Sequence, residues 1–312
     1  MIGGTLPLLG SGYRIGKGGT IVAESCEYYN SFLSFAPTVA VILNIEADHL
    51  DFFKDLEDVK SSFRRFAELV PEDKGLVVYN GDDKNTCDAL RGLDRSAVTF
   101  GFDEKNDYHP ANVSVSSGKT QFDLIGKGEN LGRVSLLIPG KHNILNALAA
   151  AAALMRLGTA PESIIKGLSS FTGAKRRFEY KGEINGALVY DDYAHHPGEL
   201  KALIDAAETL NFKRMILVFQ PHTYTRTKAL FDDFVEQLKR PDMLYLAEIY
   251  AAREKNTIGI SSRDLAERIP GALFCPTFTN IEENLKAVAK PGDIIFTVGA
   301  GDIYRVGENI VE

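Results

Sequence analysis

The sequence predicts an α/β fold in two domains, and three patterns lead to it. Residues 38–45, Thr-Val-Ala-Val-Ile-Leu-Asn-Ile, form a continuous apolar run of the kind buried on both faces of a sheet. Residues 111–138 alternate apolar and polar side chains around Ser116-Ser117-Gly118-Lys119, the period of antiparallel strands. From residue 187 onward, short apolar runs alternate with helical patterns, as in a parallel, doubly wound sheet.

Taken in order, residues 20–28 and 38–45 read as strands. Residues 55–70 read as a helix, because Leu56, Val59, Phe63, Phe66 and Val70 recur at helical spacing. Gly75–Asn80 is a short strand closed by the turn signal Asn80-Gly81. The 111–138 stretch is then an antiparallel insertion in the first domain. Residues 143–157 are rich in Ala and Leu and read as a helix between Pro139-Gly140 and Gly158. In the second half, strands fall at 187–191, 215–219, 243–248, 272–275 and 293–298, with helices at 197–210, 226–239, 261–268 and 280–288. The basic stretch Thr172–Phe178 marks the boundary, giving domains 1–174 and 175–312.

Composition narrows the function. The 312 residues are 45% hydrophobic and 25% charged, with a net charge of -7, as in an ordinary soluble protein. No basic tract offers to neutralise a nucleic-acid backbone, so no nucleic-acid partner is expected. The three cysteines, Cys26, Cys87 and Cys275, are too scattered for a zinc ribbon or a disulfide framework. Neither a membrane-length apolar run nor a signal-peptide pattern occurs, so a cytoplasmic protein without a membrane partner is expected.

Ligands of open parallel sheets bind beyond the carboxyl ends of the strands. Beyond those ends stand Asp191-Asp192-Tyr193-Ala194-His195-His196-Pro197, then Gln220-Pro221-His222 and Arg226, then Glu248 and Tyr250, then Gly299-Ala300-Gly301-Asp302. Such a rim suits a polar, charged ligand: Arg226 could fork onto a carboxylate, and Asp192 could accept from ribose hydroxyls. The same residues also fit as loop and helix caps, with Pro197 in a first helical turn. His195 and His196 are neighbours in sequence and point apart, which argues against a shared metal.

At the first two strands stand Glu24, Glu27, Asp48 and His49. Carboxylates suit Mg²⁺, and a histidine among them would also admit Mn²⁺. Capping or solvation of the following segment is the alternative for Glu46 and Asp48. A phosphate loop is missing: Gly118-Lys119-Thr120 lacks the earlier glycine of that motif and falls in a hairpin turn, and the glycine-rich 3–19 stretch matches no nucleotide-loop pattern.

Several segments resemble the Mur ligase family, most closely its branch that adds alanine to a UDP-linked muramate. They are Asn44-Ile-Glu-Ala-Asp-His-Leu-Asp51, Gly140-Lys-His-Asn-Ile-Leu-Asn-Ala147, Phe171-Thr-Gly-Ala-Lys-Arg-Arg-Phe178, Asp191–Pro197, Phe219-Gln-Pro-His222 with Tyr224-Thr-Arg226, and Gly299-Ala-Gly-Asp-Ile303, in the family's order. The resemblance implies a P-loop-type ATPase domain, lacking its front, followed by a Rossmann-like domain. It implies an amide ligase of peptidoglycan precursor synthesis with ATP and Mg²⁺ as cofactors and UDP-N-acetylmuramate and L-alanine as substrates. An acyl phosphate forms and is attacked by the amine. It further implies that Glu24 and His49 hold the metal, that His142, Asn143 and Asn146 face adenine, that Arg177 reaches the phosphates and Asp192 the ribose, and that Tyr193, His195 and Arg226 contact the alanine or muramoyl end.

The sequence departs from the family in three ways. The UDP-binding domain and the phosphate loop that stand first in the family have no counterpart here. Glu24-Ser-Cys-Glu-Tyr28 replaces a more acidic segment, and Thr223 stands where an arginine usually follows Gln-Pro-His. The chain alone is therefore expected to turn over little, and an uncovered sheet edge to favour self-association. Three other readings stay open: a nucleotide-binding fragment without chemistry, the related murein-tripeptide-recycling ligase, and a phosphohydrolase using Asp48, His49 and Asp51.

Overall fold

The computed structural model describes residues 1–50, 52–116 and 119–311, so Asp51 and Gly118 lie outside the described residues. The chain forms two compact units, one of Met1–Gly3 and Gly12–Thr172, the other of Gly4–Ser11 and Gly173–Glu312. The predicted α/β class holds in both.

The first unit runs β1 (Val39–Ile42), α1 (Leu56–Glu68), β2 (Leu76–Asn80), α2 (Lys84–Ala89), β3 (Ala97–Phe100), β4 (Tyr108–Ser116), β5 (Lys119–Gly126), β6 (Glu129–Leu136), α3 (Lys141–Arg156) and α4 (Pro161–Ser170). Its sheet is ordered β1-β2-β3-β4-β5-β6. The first four strands are parallel, and β4 to β6 continue as an antiparallel meander in the same sheet. The expected insertion is thus an extension of the main sheet. The pleat sends Val78 to a core under α3 and α4, and Val77 to a second core under α1. Helix α1 starts where the Asp55 carboxylate caps the Asp58 N–H, a contact that contributes about 1 kcal/mol.

The strand expected at 20–28 is absent among the described residues. Residues 20–27 are irregular, Ile21 and Val22 face solvent, and a 3₁₀ helix follows at Tyr28–Ser34. An apolar stretch makes a strand only where a neighbour completes its hydrogen bonds, and among the described residues β1 pairs only with β2.

The second unit runs β7 (Glu179–Ile184), β8 (Ala187–Asp192), α5 (Pro197–Ala207), β9 (Arg214–Phe219), α6 (Tyr224–Ala229), α7 (Phe231–Leu238), β10 (Met243–Leu246), α8 (Ser262–Arg268), β11 (Leu273–Phe274), α9 (Phe278–Val288), β12 (Asp293–Val298) and α10 (Tyr304–Ile310). The order β11-β10-β9-β12-β8-β7 is parallel except for β7. The helix expected at 226–239 is broken at Leu230, whose backbone leaves the helical region. Helices cover both faces, and β9 and β12 are buried along nearly their whole length. Strand β12 returns into the gap between β8 and β9, so the chain reverses direction there. Register aligns Asp192, Val298, Phe219 and Leu246 in one row across four strands. Everything that follows those residues emerges at one edge.

Candidate active site

The rim of the second unit is built on that row. Asp192 ends β8 and is buried, with one carboxylate oxygen accepting the Phe178 N–H and the other the Ala194 N–H, each at 2.8 Å. Burial pushes its pKa up to about 6, against the two backbone donors and Arg177, which favour the charged form. Both oxygens thus take part in shaping the 192–194 turn. That turn sets Tyr193 outward, with its N–H donating to the Arg176 carbonyl at 2.7 Å.

His195 lies next, its Nδ1 3.0 Å from the Tyr193 carbonyl and 3.3 Å from Glu199 Oε2. His196 opens α5 with a capping box in which Glu199 accepts the backbone N–H of both histidines. Burial works against the Glu199 carboxylate, but His195, Arg177 and the two N–H groups together hold its pKa below the usual range. Arg177 lies 3.5 Å from Glu199 and over the Tyr193 ring, with its side chain about half exposed. The structure therefore joins Arg177 and His195 through Glu199, which the sequence reading passed over, and both also meet the Tyr193 ring.

Strand β9 delivers the other half. The His222 ring lies 5.6 Å from His195 and stacks on Tyr250 at 5.7 Å. Arg226, on α6, places Nη1 3.1 Å from His222 Nδ1. Arginine only donates, so Nδ1 accepts there. Thr223, the departure from the family pattern, holds a left-handed backbone (φ 65°) at the start of α6, and its N–H donates to the Tyr250 carbonyl. Glu254 accepts the Tyr224 and Thr225 N–H groups and so caps the helix that bears Arg226. Gln220 spans β9 and the turn after β12: its amide donates to Asp302 and its carbonyl accepts the Ile303 N–H. Gly299 (φ 149°) is required there, because a Cβ would meet the Gln220 carbonyl oxygen at 2.6 Å.

The expected cofactor side in the first unit is looser. His142, Asn143 and Asn146 stand on the first turns of α3, with His142 and Asn146 exposed on one face. Asn143 donates to the Pro139 carbonyl at 2.6 Å, and Asn146 donates to Asn143 at 3.2 Å. His49 Nε2 lies 3.5 Å from Glu27 and 3.8 Å from Asp48, and its ring stacks on Tyr28. Glu24, the expected metal partner of His49, instead accepts the Gly3 N–H at 2.5 Å. The carboxylate at the imidazole is Glu27, because the 20–27 segment is no strand and its residues do not follow strand spacing. An imidazole beside two carboxylates has the donor chemistry of a divalent-cation site. Among the described residues, no group of three or more His, Cys, Asp or Glu side chains is placed to hold a metal ion, so this trio has the donor types without the converged geometry.

Residues 20–154 match the Mur ligase middle domain, and residues 176–301 match the Mur ligase glutamate ligase domain. The UDP-N-acetylmuramate–L-alanine ligase of Caldanaerobacter subterraneus subsp. tengcongensis is 45% identical over 317 residues, covering 100% of this chain and 69% of its own length. That of Acetivibrio thermocellus is 49% identical over 313 residues, covering 98% and 66%. The solved UDP-N-acetylmuramate–alanine ligase of Thermotoga maritima superposes with a TM-score of 0.80 at 25% identity, over 99% of this chain and 66% of that one. The chain thus spans about two thirds of the length of these relatives. No described helix is long and apolar enough to cross a membrane.

Proposed function

The chain belongs to the Mur ligase family, and we propose that it forms the nucleotide and amino-acid part of an ADP-forming ligase that joins L-alanine to UDP-N-acetylmuramate in peptidoglycan precursor synthesis. The observation that supports this best is the cluster of Tyr193, His195, His222 and Arg226, brought by β8 and β9 to one strand-end row. The planar guanidinium of Arg226 suits a carboxylate, and the His195 ring lies 5.6 Å from the His222 ring that Arg226 contacts. In this reading Tyr193, His195 and Arg226 orient the amine and the muramoyl end, so that attack on the acyl phosphate is helped by proximity.

His142, Asn143 and Asn146 take the adenine of ATP, and Arg177 reaches the phosphates. Asp192 supports the ribose side by fixing the turn as well as by direct contact. Mg²⁺ would be held by His49 with Glu24, and Glu27, the carboxylate nearest the imidazole, is proposed as a further ligand. When bound, the cation offsets phosphate charge. The open side of β1, where Val41 and neighbouring Leu43 are exposed, is the surface through which copies of the chain self-associate, a point for sedimentation velocity.

A phosphate-release assay with ATP, Mg²⁺, UDP-N-acetylmuramate and L-alanine tests the reading. Release that requires the amine supports ligation by the chain itself. ADP binding that is lost in Asn146→Ala, without release, supports the nucleotide half and the expectation of little turnover. Release without any amine, abolished in His49→Ala, would replace the ligase with a phosphohydrolase.

A further inference from the structure

We propose that Arg176 is a positioning residue of this site, its guanidinium tying the turn after β12 to the end of β8 and fixing the Tyr193 ring beside His195. The inference rests on the reading of Tyr193 and His195 as facing the substrate.

Arg176 and Arg177 are adjacent and do opposite things. Arg177 is half exposed, whereas the Arg176 backbone takes a left-handed turn (φ 60°), a conformation few residues other than glycine adopt, and its side chain points inward. Its Nε donates to Asp191 Oδ2 at 3.0 Å, Nη1 to the Gly301 carbonyl at 3.1 Å and Nη2 to the Gly299 carbonyl at 2.5 Å. Its guanidinium carbon sits 4.9 Å from the Tyr193 ring centre and 4.7 Å from that of Tyr304. A planar cation is thus held by two aromatic rings, two carbonyls and a carboxylate, which satisfies guanidinium chemistry and not that of an ammonium.

Asp191 is fully buried. Burial pushes its carboxyl up, while the Thr297 hydroxyl and Arg176 pull it down. Thr297 is also the register partner of Asp191 on β12. The Arg176 side chain therefore links β8, the glycine turn and α10 at the strand-end row, and its partner Asp191 carries the link on to β12. Tyr193 is held twice, by its ring against Arg176 and by its N–H on the Arg176 carbonyl.

The test uses the full chain with tyrosine rings labelled for NMR. In Arg176→Ala, the Tyr193 and Tyr304 ring signals should shift, while Tyr79 and Tyr108 of the first unit stay in place. Millimolar methylguanidinium should refill the gap and return both shifted signals. Arg176→Lys should shift the same two signals, since one ammonium cannot bridge both carbonyls and the carboxylate; this variant decides the matter if the alanine form does not fold. Where turnover is measurable, KM for L-alanine should rise about tenfold, the scale of one lost charged hydrogen bond, with KM for ATP unchanged. Tyr193 signals unchanged in either variant, or shifts that methylguanidinium does not reverse, would overturn the proposal. A chain that binds neither ADP nor alanine would sink the ligase reading and leave the ring signals to decide on Arg176.

Discussion

The strand-end rim of the second unit and the Glu24–His49 corner of the first are both rich in charge, yet they are held in different ways. In the rim nearly every functional side chain is fixed by another or by backbone: Asp192 by two N–H groups, His195 by Glu199, Arg226 by His222, Arg176 by two carbonyls. In the corner the imidazole lies 3.5 Å from Glu27 and 3.8 Å from Asp48, and the segment that supplies Glu24 and Glu27 belongs to no sheet. The difference follows from topology. Four strands converging on one row place polar groups within reach of each other before any ligand arrives, and such groups cost little to organise when it does. A corner at the end of one edge strand and an irregular segment must gain its order from what it binds.

If that contrast is right, damage to the rim should lower folding stability and damage to the corner should not. The largest effect belongs to Gly299→Ala. The added Cβ meets the Gln220 backbone in a conformation foreign to alanine, and a loss of about 3 kcal/mol is expected in urea unfolding. A loss near zero would mean that the turn after β12 yields freely.

The second prediction uses pH. Folded Asp192 has a pKa of about 6 against an ordinary value of 3.8, so the folded chain binds that proton more tightly. Its contribution to stability is complete below pH 3.8 and is lost as pH rises to about 6 and beyond. Asp192→Asn should remove that fall, about 3 kcal/mol between pH 4 and pH 7 relative to wild type. Asp205 and Asp293, whose pKa values are lowered and which do not face Asp192, act with the opposite sign in both proteins and cancel in the comparison. Parallel pH curves for the two proteins would contradict the buried assignment.

What the sequence made legible divides along the same line. The second-unit strands were legible because a strand buried on both faces is a continuous apolar run, and β9 and β12 fall where those runs do. The rim residues followed from the rule that loops after parallel strands carry the ligand. Strand β7 was missed because it is a partly exposed edge with the polar sequence Glu-Tyr-Lys-Gly-Glu-Ile, although Asn185-Gly186, both at positive φ, was a hairpin signal in plain view. The 20–28 strand was misread because a short apolar stretch does not show whether a neighbouring strand exists to pair with it. Glu254 and Arg176 were out of reach, since a cap across 30 residues and a bond across 125 are properties of the fold. Arg177 faces outward and Arg176 inward in a stretch whose backbone is left-handed at both Arg176 and Phe178.

The smallest stability effects belong to the corner. Glu27→Gln and Glu24→Gln should each change unfolding by less than about 0.5 kcal/mol, as exposed surface changes do. Their effects on Mn²⁺ affinity in the presence of ADP, followed by water relaxation, should separate the two. About a tenfold loss is expected for Glu27→Gln, the carboxylate already beside the imidazole. An equal or larger loss for Glu24→Gln would mean that the Gly3 contact opens to make a site of the family pattern.

Amide hydrogen exchange of the whole chain, with and without ADP and Mg²⁺, tests the contrast most directly. The account predicts that the N–H groups of Phe178, Ala194 and Ile303 are protected in the free chain and change little on binding, while residues 24–28 and 48–50 gain protection. Rapid exchange at Phe178, Ala194 and Ile303 in the free chain, slowed only by ligand, would contradict it.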